Sequence, residues 1–362
     1  MGLSRLLAIS VVAICLLSAG CELVAELDAQ AYREFHAAAW QATVQAYVAE
    51  QDTLTPPAEP PAPRVCEDTV IPAYHGIIAA AGHERAAWYS LRCQSQTSLE
   101  FAAEMLEVLT RRDTANIELL APQIEEFHTA HQAERQNWRG AYAGIARAVE
   151  DLESAWTGVW PEQDLDFDLA GTAAVLRDLR QPLPDAERTA ALTHYHENEY
   201  NRLAMIYLGF EPEVLPNPES HVPQGCDELS LALKRLEAAL LVRYSMDQAI
   251  EQDVARVQEL ARVDLAETPW DEIKLPQGRY ARPRVTASIA RLKLLKYLDM
   301  LVVDCLDVIL RDVDLHWRKV WPQHELETNI FAFAGLARIQ EQNSASVAEL
   351  PQDPMAEFTF RQ

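Results

Sequence analysis

The sequence predicts an all-α protein, and three observations support this. Hydrophobic residues make up 49% of the 362 positions, and glycine occurs only twelve times. Apolar side chains recur at helical spacing over long stretches. No run of alternating β-branched residues indicates a strand.

A repeated pattern predicts how these helices are organised. Residues 156–161, Trp-Thr-Gly-Val-Trp-Pro, return as Trp-Arg-Lys-Val-Trp-Pro at 317–322. Further upstream, His36 returns as His196 in nearly the same frame, together with several Pro, Tyr and Cys positions. Such self-similarity predicts the tandem duplication of a four-helix unit, folded as two bundles or as one continuous eight-helix body.

The predicted organisation divides the chain into four parts. These are a signal peptide at 1–20, helical repeats at 21–182 and 183–343, and a loose tail at 344–362.

Each repeat is expected to contain an opening helix, a Pro-rich connector, two long helices and a short closing helix. In the first repeat we expect the helices at about 24–50, 67–111, 122–159 and 165–180. In the second repeat we expect them at about 186–209, 229–257, 283–320 and 326–342. Pro122 and Pro283 are expected near the start of their helices, and Pro72 and Gly82 are expected to break the second helix.

The first residues predict export from the cytoplasm. Arg5 places positive charge ahead of an apolar run from Leu6 to Leu17. That run is too short to span a bilayer and has the length of the central region of a signal peptide.

The next four residues predict a lipid anchor. Ser18-Ala19-Gly20-Cys21 resembles the lipobox of bacterial lipoproteins, although Ser18 stands where that motif more often has a branched residue. The resemblance implies cleavage before Cys21, acylation of Cys21 with palmitate or a similar chain, and a bilayer-tethered protein facing the periplasm. Glu22 in place of Asp favours the outer membrane over the inner one. The alternative is an ordinary cleaved signal peptide.

The net charge of −24 limits the classes of partner. An acidic surface repels nucleic acid and anionic lipid headgroups, so we expect no nucleic-acid partner. Membrane attachment must then come from acyl chains.

Four cysteines remain once Cys15 is removed with the signal and Cys21 is acylated. They are Cys66, Cys93, Cys226 and Cys305. An even count in an oxidising compartment predicts two disulfide bonds. If each repeat forms its own bond, the pairs are Cys66–Cys93 and Cys226–Cys305, and the two other pairings stay open.

Two polar positions recur in both repeats. His36 and His196 lie on helix faces that also carry aromatic residues, and Asp151 recurs as Asp312. They are candidates for an aromatic-lined site with a titratable base. The alternative, which we favour, is a half-buried histidine bonded across the bundle, with these aspartates as candidate partners.

The densest cluster of metal-ligand types is Glu125, His128, His131 and Glu134. Glu125 and His128 have the spacing of one half of a carboxylate-bridged di-iron site in a helical bundle. The matching positions in the second repeat are Thr286 and Ile289, so a solvated helix face is the favoured interpretation.

Candidates for partner contact come from aromatic residues outside the predicted core stripe. Trp160 and Trp321 end the two long third helices. The irregular segment 268–284 combines aromatic and basic side chains, which is typical of interaction surfaces. Its candidates are Trp270, Arg279 and Tyr280.

Motifs for phosphate loops, nucleophile elbows and zinc peptidases are absent from the sequence. The sequence therefore favours a non-catalytic envelope lipoprotein that binds or scaffolds an envelope protein partner, with no cofactor. The alternative is a periplasmic metal-binding protein that uses the Glu/His cluster. A third hypothesis is a cell-wall or peptide hydrolase without a recognisable motif.

Overall fold

A computed structural model describes residues 29–50, 63–111, 117–161, 167–180, 186–215, 227–265, 268 and 272–320. In these ranges every regular element is helical, which confirms the all-α prediction. The α-helices are residues 29–48 (α1), Val70–Thr110 (α2), Ile117–Val159 (α3), Leu169–Arg180 (α4), Ala186–Tyr207 (α5), Asp227–Ala261 (α6) and Ala281–Val320 (α7). A 3₁₀ turn at Arg64–Cys66 precedes α2. The closing helix expected at 326–342 lies outside the described residues.

Helix α2 is continuous, so the expected break at Pro72 and Gly82 is wrong. Pro72 is the third residue of the helix, where a backbone N–H has no partner inside the helix and its loss costs little. Pro283 is likewise the third residue of α7, as predicted. Gly82 lies inside α2, where glycine weakens a helix by about 1 kcal/mol without ending it.

Helix α5 ends where the backbone turns at Gly209. This residue has φ of 87°, a left-handed conformation that glycine adopts without strain. The N–H of Phe210 bonds the carbonyl of Met205 at 3.1 Å, and the N–H of Gly209 bonds that of Ile206 at 2.9 Å. These two bonds form a Schellman-type C-cap, which satisfies carbonyls that the helix leaves open.

The chain divides into two compact units. One consists of Met1–Ala87 with Trp138–Gln181, and the other of Trp88–Asn137 with Pro182–Gln362. Both internal boundaries fall within long helices, after Ala87 in α2 and before Trp138 in α3.

The first unit has its own hydrophobic core. Apolar side chains of α1, the start of α2, the end of α3 and α4 pack together there. Among the most deeply buried of them are Phe35, Tyr74, Ile77, Leu152 and Trp156.

The second unit has a larger core in which the C-terminal part of α2 and the N-terminal part of α3 join α5, α6 and α7. Its members include Leu106, Ile124, Leu203, Leu236 and Leu298. A smaller cluster, Val257, Leu265, Ile273, Val285 and Leu292, lies under the connection between α6 and α7.

The predicted duplication of a four-helix unit is not confirmed. The described helices follow the expected order, but they number seven rather than eight. The core of the second unit also takes side chains from both predicted repeats, because Leu106 and Ile124 precede residue 183.

The predicted disulfide bonds are absent from the described part of the chain. Cys66, Cys93 and Cys305 are free thiols. Cys66 lies just before α2, whereas Cys93 lies about six turns along the helix. Burial raises the pKa of the Cys66 thiol to about 11. Cys226 and Cys21 lie outside the described residues.

Among the described helices, none combines the length and the hydrophobicity that a transmembrane span requires.

Candidate binding groove between helices α6 and α7

A polar groove lies between the C-terminal half of α6 and the first turns of α7, within the second compact unit. Its volume is about 420 Å³. Its lining residues are Arg256, Glu259, Leu260, Arg284, Ala287, Ser288 and Arg291. We refer to it as the α6–α7 groove.

A buried ion pair forms one wall of this groove. The Nε of Arg291 donates to Oδ2 of Asp253 at 2.5 Å, and its Nη2 donates to Oδ1 of the same carboxylate. Asp253 and Arg291 are both buried. Such two-point pairing fixes the guanidinium plane and is stronger than a single hydrogen bond.

Two further side chains complete the coordination of Asp253. Ser288, one turn before Arg291 on α7, donates its hydroxyl to Oδ1 at 3.2 Å. Arg256, one turn after Asp253 on α6, donates from Nη1 to the same oxygen at 3.1 Å. Residues three apart share a helix face, so both helices present their polar groups at the same level.

The groove contains a hydrogen-bond donor that makes no contact within the described residues. The contacts of Arg291 within the described residues use Nε and Nη2, and Nη1 makes none of them. The groove brings together three guanidinium groups and two carboxylates. The guanidinium groups belong to Arg256, Arg284 and Arg291, and the carboxylates to Asp253 and Glu259. The site therefore has a positive excess in a chain of net charge −24.

Two predicted contact residues lie in the turn that leads into α7, whose first turns line this groove. Arg279 and Tyr280 precede the first residue of α7, and both are exposed, Tyr280 at 77%. A backbone hydrogen bond from Arg282 to the carbonyl of Gly278, 3.1 Å long, leads this segment into the helix. Trp270, the third candidate in this segment, lies outside the described residues.

His36 lies inside the core of the first unit and has no access to solvent that a site would need. The hydroxyl of Tyr74 hydrogen-bonds its Nδ1, and the rings of Trp40, Trp156 and Phe167 surround it. Burial lowers the pKa of His36 to about 4. The hydrogen bond across the bundle is therefore found, with Tyr74 rather than Asp151 as the partner.

The other residues that recur in both predicted repeats differ in their surroundings. Asp151 is exposed on α3, whereas Asp312 is buried on α7. The side chain of His196 lies outside what the structure describes. Trp160 is half-buried and its ring centroid lies 5.2 Å from that of Tyr32, so it packs on the core of the first unit. Trp321 lies outside the described residues.

The predicted metal cluster is not brought together. Glu125 is exposed, whereas His131 is fully buried and hydrogen-bonds the Ser95 hydroxyl at 2.9 Å. His128 lies 3.5 Å from Asp304. Glu134 is partly buried on the same helix. Over the whole described part of the chain, no group of three or more His, Cys, Asp or Glu side chains could hold a metal ion.

These histidines belong to a polar contact between α3 and α7. Arg135 donates to Asp304 at 2.8 Å and to Asp307 at 2.6 Å. Burial alone would raise the pKa of Asp304, but the hydrogen bond with His128 and the charge of Arg135 hold it below its ordinary value. Burial lowers the pKa of His131, so its imidazole is neutral near pH 7.

Ser95 makes two polar contacts through its hydroxyl. The oxygen lies 2.8 Å from the carbonyl of Leu91, to which it donates, and 2.9 Å from Nε2 of His131. A hydroxyl has one proton, and while that proton bonds Leu91 the serine accepts from His131 and is not activated as a nucleophile.

Sequence reasoning missed the core of the groove, namely Asp253, Arg256, Ser288 and Arg291. A signal was available in α6, where Asp253 interrupts an apolar stripe formed by Ile250, Val254 and Val257. A carboxylate at such a position is buried and requires a charged partner.

Comparison with known proteins found no match. No protein-family model, no curated protein and no solved structure resembles this chain at a significant level.

Proposed function

We propose that this chain is a non-catalytic, lipid-anchored binding protein of the bacterial envelope, which holds an acidic segment of a protein partner in the α6–α7 groove. The observation that carries the proposal is the positive excess of the groove in a strongly acidic chain. The anchor at Cys21 and the periplasmic location come from the lipobox-like residues at 18–21, and the preference for the outer membrane comes from Glu22.

The groove suits a carboxylate-bearing partner for a physical reason. Guanidinium groups match the planar geometry of carboxylates and are less strongly hydrated than ammonium groups. The Asp253 contact already fixes the orientation of Arg291, so little side-chain entropy is lost when its free Nη1 meets a ligand. Tyr280, which is exposed in the turn that leads into α7, adds an aromatic side chain of the kind that anchors protein interfaces.

Binding is favoured over catalysis because, in the strongest candidate for a nucleophile and base, Ser95 with His131, the serine proton bonds the carbonyl of Leu91. No specific observation favours the metal-binding alternative. Of the residues that suggested it, Glu125 is exposed, and His128 and His131 are engaged in contacts between helices.

The proposal can be tested by crosslinking in living cells. A photoreactive amino acid replaces Tyr280 in the full-length protein, and the matched control carries it at Tyr142, which is also exposed, in the first unit. We expect one defined protein product from position 280 and none of it from position 142. Charge reversal at Arg256→Glu and Arg284→Glu should abolish the product, because both guanidinium groups then repel an acidic segment.

Identical products from both positions, or a product that survives both charge reversals, would refute the proposed binding function. The anchor is tested separately, since Cys21→Ser should move the protein from the membrane fraction to the soluble fraction. A Cys21→Ser variant that stays in the membrane fraction would contradict the anchor while leaving the groove untouched.

A further inference from the structure

A second, smaller cavity lies between α2, α6 and α7, entirely within the second compact unit. Its volume is about 130 Å³. Its lining residues are Arg92, Ser95, Gln96, Leu99, Glu100, Arg235, Ala238, Val308, Ile309 and Asp312. We refer to it as the α2–α6–α7 pocket.

Two arginines meet one buried carboxylate at the polar side of this pocket. Nη1 of Arg92 lies 3.2 Å from Oδ1 of Asp312, and Nη1 of Arg235 lies 3.6 Å from its Oδ2. Asp312 is only 2% exposed. One carboxylate cannot neutralise two guanidinium groups, so Asp312 by itself leaves an excess of one positive charge beside it.

Most donors of these arginines are unused. Within the described residues, the contact with Asp312 through Nη1 is the only polar contact of either side chain. Each guanidinium carries five N–H groups. Both side chains line the pocket and are 28% exposed, so their remaining donors are accessible to a ligand.

The other acidic groups near the pocket do not cancel this excess. Glu100 is exposed and accepts a hydrogen bond from Gln96 at 3.1 Å. Glu228 is largely exposed and lies 3.1 Å from Nδ1 of His316, whose Nε2 is 3.5 Å from Asp312. Water and salt screen exposed carboxylates far more than buried ones.

Four apolar residues also line the pocket, together with the polar side chains of Ser95, Gln96 and Glu100. Leu99, Ala238, Val308 and Ile309 provide hydrocarbon surface beside the two arginines. A cavity of roughly 150 Å³ lined by such side chains admits a benzene molecule. The pocket therefore suits an apolar group of about that size.

We propose that the α2–α6–α7 pocket binds a carboxylate attached to a compact apolar group. Arg92 and Arg235 hold the carboxylate, and the four apolar side chains enclose the hydrocarbon. This site is separate from the α6–α7 groove and does not depend on the function proposed for that groove. Two kinds of ligand carry such a carboxylate: a free organic acid, and a polypeptide whose last residue has an apolar side chain.

The first experiment titrates the full-length protein, purified in detergent, with phenylacetate and with its neutral counterpart phenylacetamide, by calorimetry. We expect phenylacetate to bind at least tenfold more tightly, because an amide cannot form the charged contact with the arginines. Ala238→Leu should weaken phenylacetate binding at least tenfold by filling the pocket. Ala238 is exposed, so this replacement leaves the fold intact.

Arg235→Gln should cause a similar loss, whereas Arg284→Gln in the α6–α7 groove serves as the matched control and should leave the affinity unchanged. Equal binding of acid and amide, full binding by the Ala238→Leu variant, or no binding of phenylacetate or of a carboxylate-terminated peptide would overturn the proposal.

A second arm identifies the source of the ligand. It compares phenylacetate with a short peptide that ends in Phe, and with the same peptide carrying a C-terminal amide. If only phenylacetate binds, the ligand is a small organic acid. If the peptide with a free C-terminal carboxylate binds, the ligand is the C-terminus of a polypeptide. Equal binding of the carboxylate and amide forms of the peptide would contradict the inferred chemistry.

Discussion

His36 is held in its neutral form by the side chains around it. Aromatic rings exclude water, and the Tyr74 hydroxyl supplies a hydrogen bond to Nδ1. A protonated imidazole carries an N–H at Nδ1, so Nδ1 could no longer accept a hydrogen bond from Tyr74. Burial accordingly lowers the pKa of His36 to about 4, from an unfolded value near 6.5.

This shift predicts that acid destabilises the protein through His36. The unfolded chain binds the proton more readily than the folded one. The contribution to stability is therefore complete above about pH 6.5 and is lost as the pH falls towards 4. The shift sets an upper limit of about 3 kcal/mol on the loss. Denaturant unfolding of the wild type and of His36→Gln, at pH 7 and at pH 4.5, measures it.

Gln at position 36 keeps an acceptor for Tyr74 but does not titrate. The difference in the free energy of unfolding between wild type and His36→Gln should therefore shift in favour of the variant as the pH falls. A difference that stays constant across this range would contradict the burial of a neutral imidazole.

At this scale, the sequence indicates burial only in part and indicates partners poorly. His36, on a helix face with aromatic residues, is buried, but His131 is fully buried on a face for which we favoured solvation. The partners, Tyr74 and Ser95, lie 38 and 36 residues away. The predicted disulfide bond between Cys66 and Cys93 was wrong because a cysteine count does not show which residues the helices bring together.

Helices are the elements that the periodic pattern predicts best. The third helix of each predicted repeat was expected to start near its proline, and α7 does so with Pro283. Helix α3 instead begins at Ile117, so Pro122 lies inside it. The apolar residues Leu120 and Ala121 extend the helix upstream, since both are buried in the core of the second unit. The local sequence signals for the start of a helix carry no information about this tertiary contact.

The position of Pro122 predicts a stabilising substitution. Proline at the sixth residue of a helix removes one backbone hydrogen bond and crowds the preceding turn, at a cost of up to about 3 kcal/mol relative to alanine. Pro122→Ala should therefore raise the free energy of unfolding by about 1 to 3 kcal/mol. Urea denaturation followed by circular dichroism measures the change.

Pro283→Ala is the matched control, because the third residue of α7 has no need of its N–H. It should change stability by less than about 0.5 kcal/mol. An equal effect at both positions would show that the interior position of Pro122 carries no penalty.

At the scale of the whole molecule, the repeated sequence pattern did not predict the compact units. Self-similarity reports which segments share a pattern, whereas a compact unit is defined by which apolar faces meet. In the second unit those faces come from five helices, and two of them, α2 and α3, belong to the first predicted repeat.

This arrangement predicts that residues 183–343 do not fold alone. They would lose the buried apolar side chains that α2 and α3 contribute to the core of the second unit. These side chains are Leu99, Ala102, Leu106, Leu109, Leu120, Ala121 and Ile124. The leucines and the isoleucine together are worth about 10 kcal/mol, which equals the whole stability of a typical domain.

Thermal unfolding of the isolated fragment 183–343 should therefore lack a cooperative transition. Addition of a peptide with residues 88–137 should restore helical content and a transition. Cooperative unfolding of the fragment by itself, near the melting temperature of the full-length protein, would favour independent repeats and contradict the unit boundaries.

The positive α6–α7 groove has a kinetic consequence in a chain of net charge −24. An approaching acidic chain is repelled at long range and attracted only within about one Debye length, ~8 Å at physiological ionic strength. Moderate salt should speed the encounter by weakening the repulsion, and high salt should shorten the lifetime of the complex. If the groove binds an acidic segment as proposed, it should select a short acidic stretch on a neutral or basic carrier over uniformly acidic molecules, other copies of itself included.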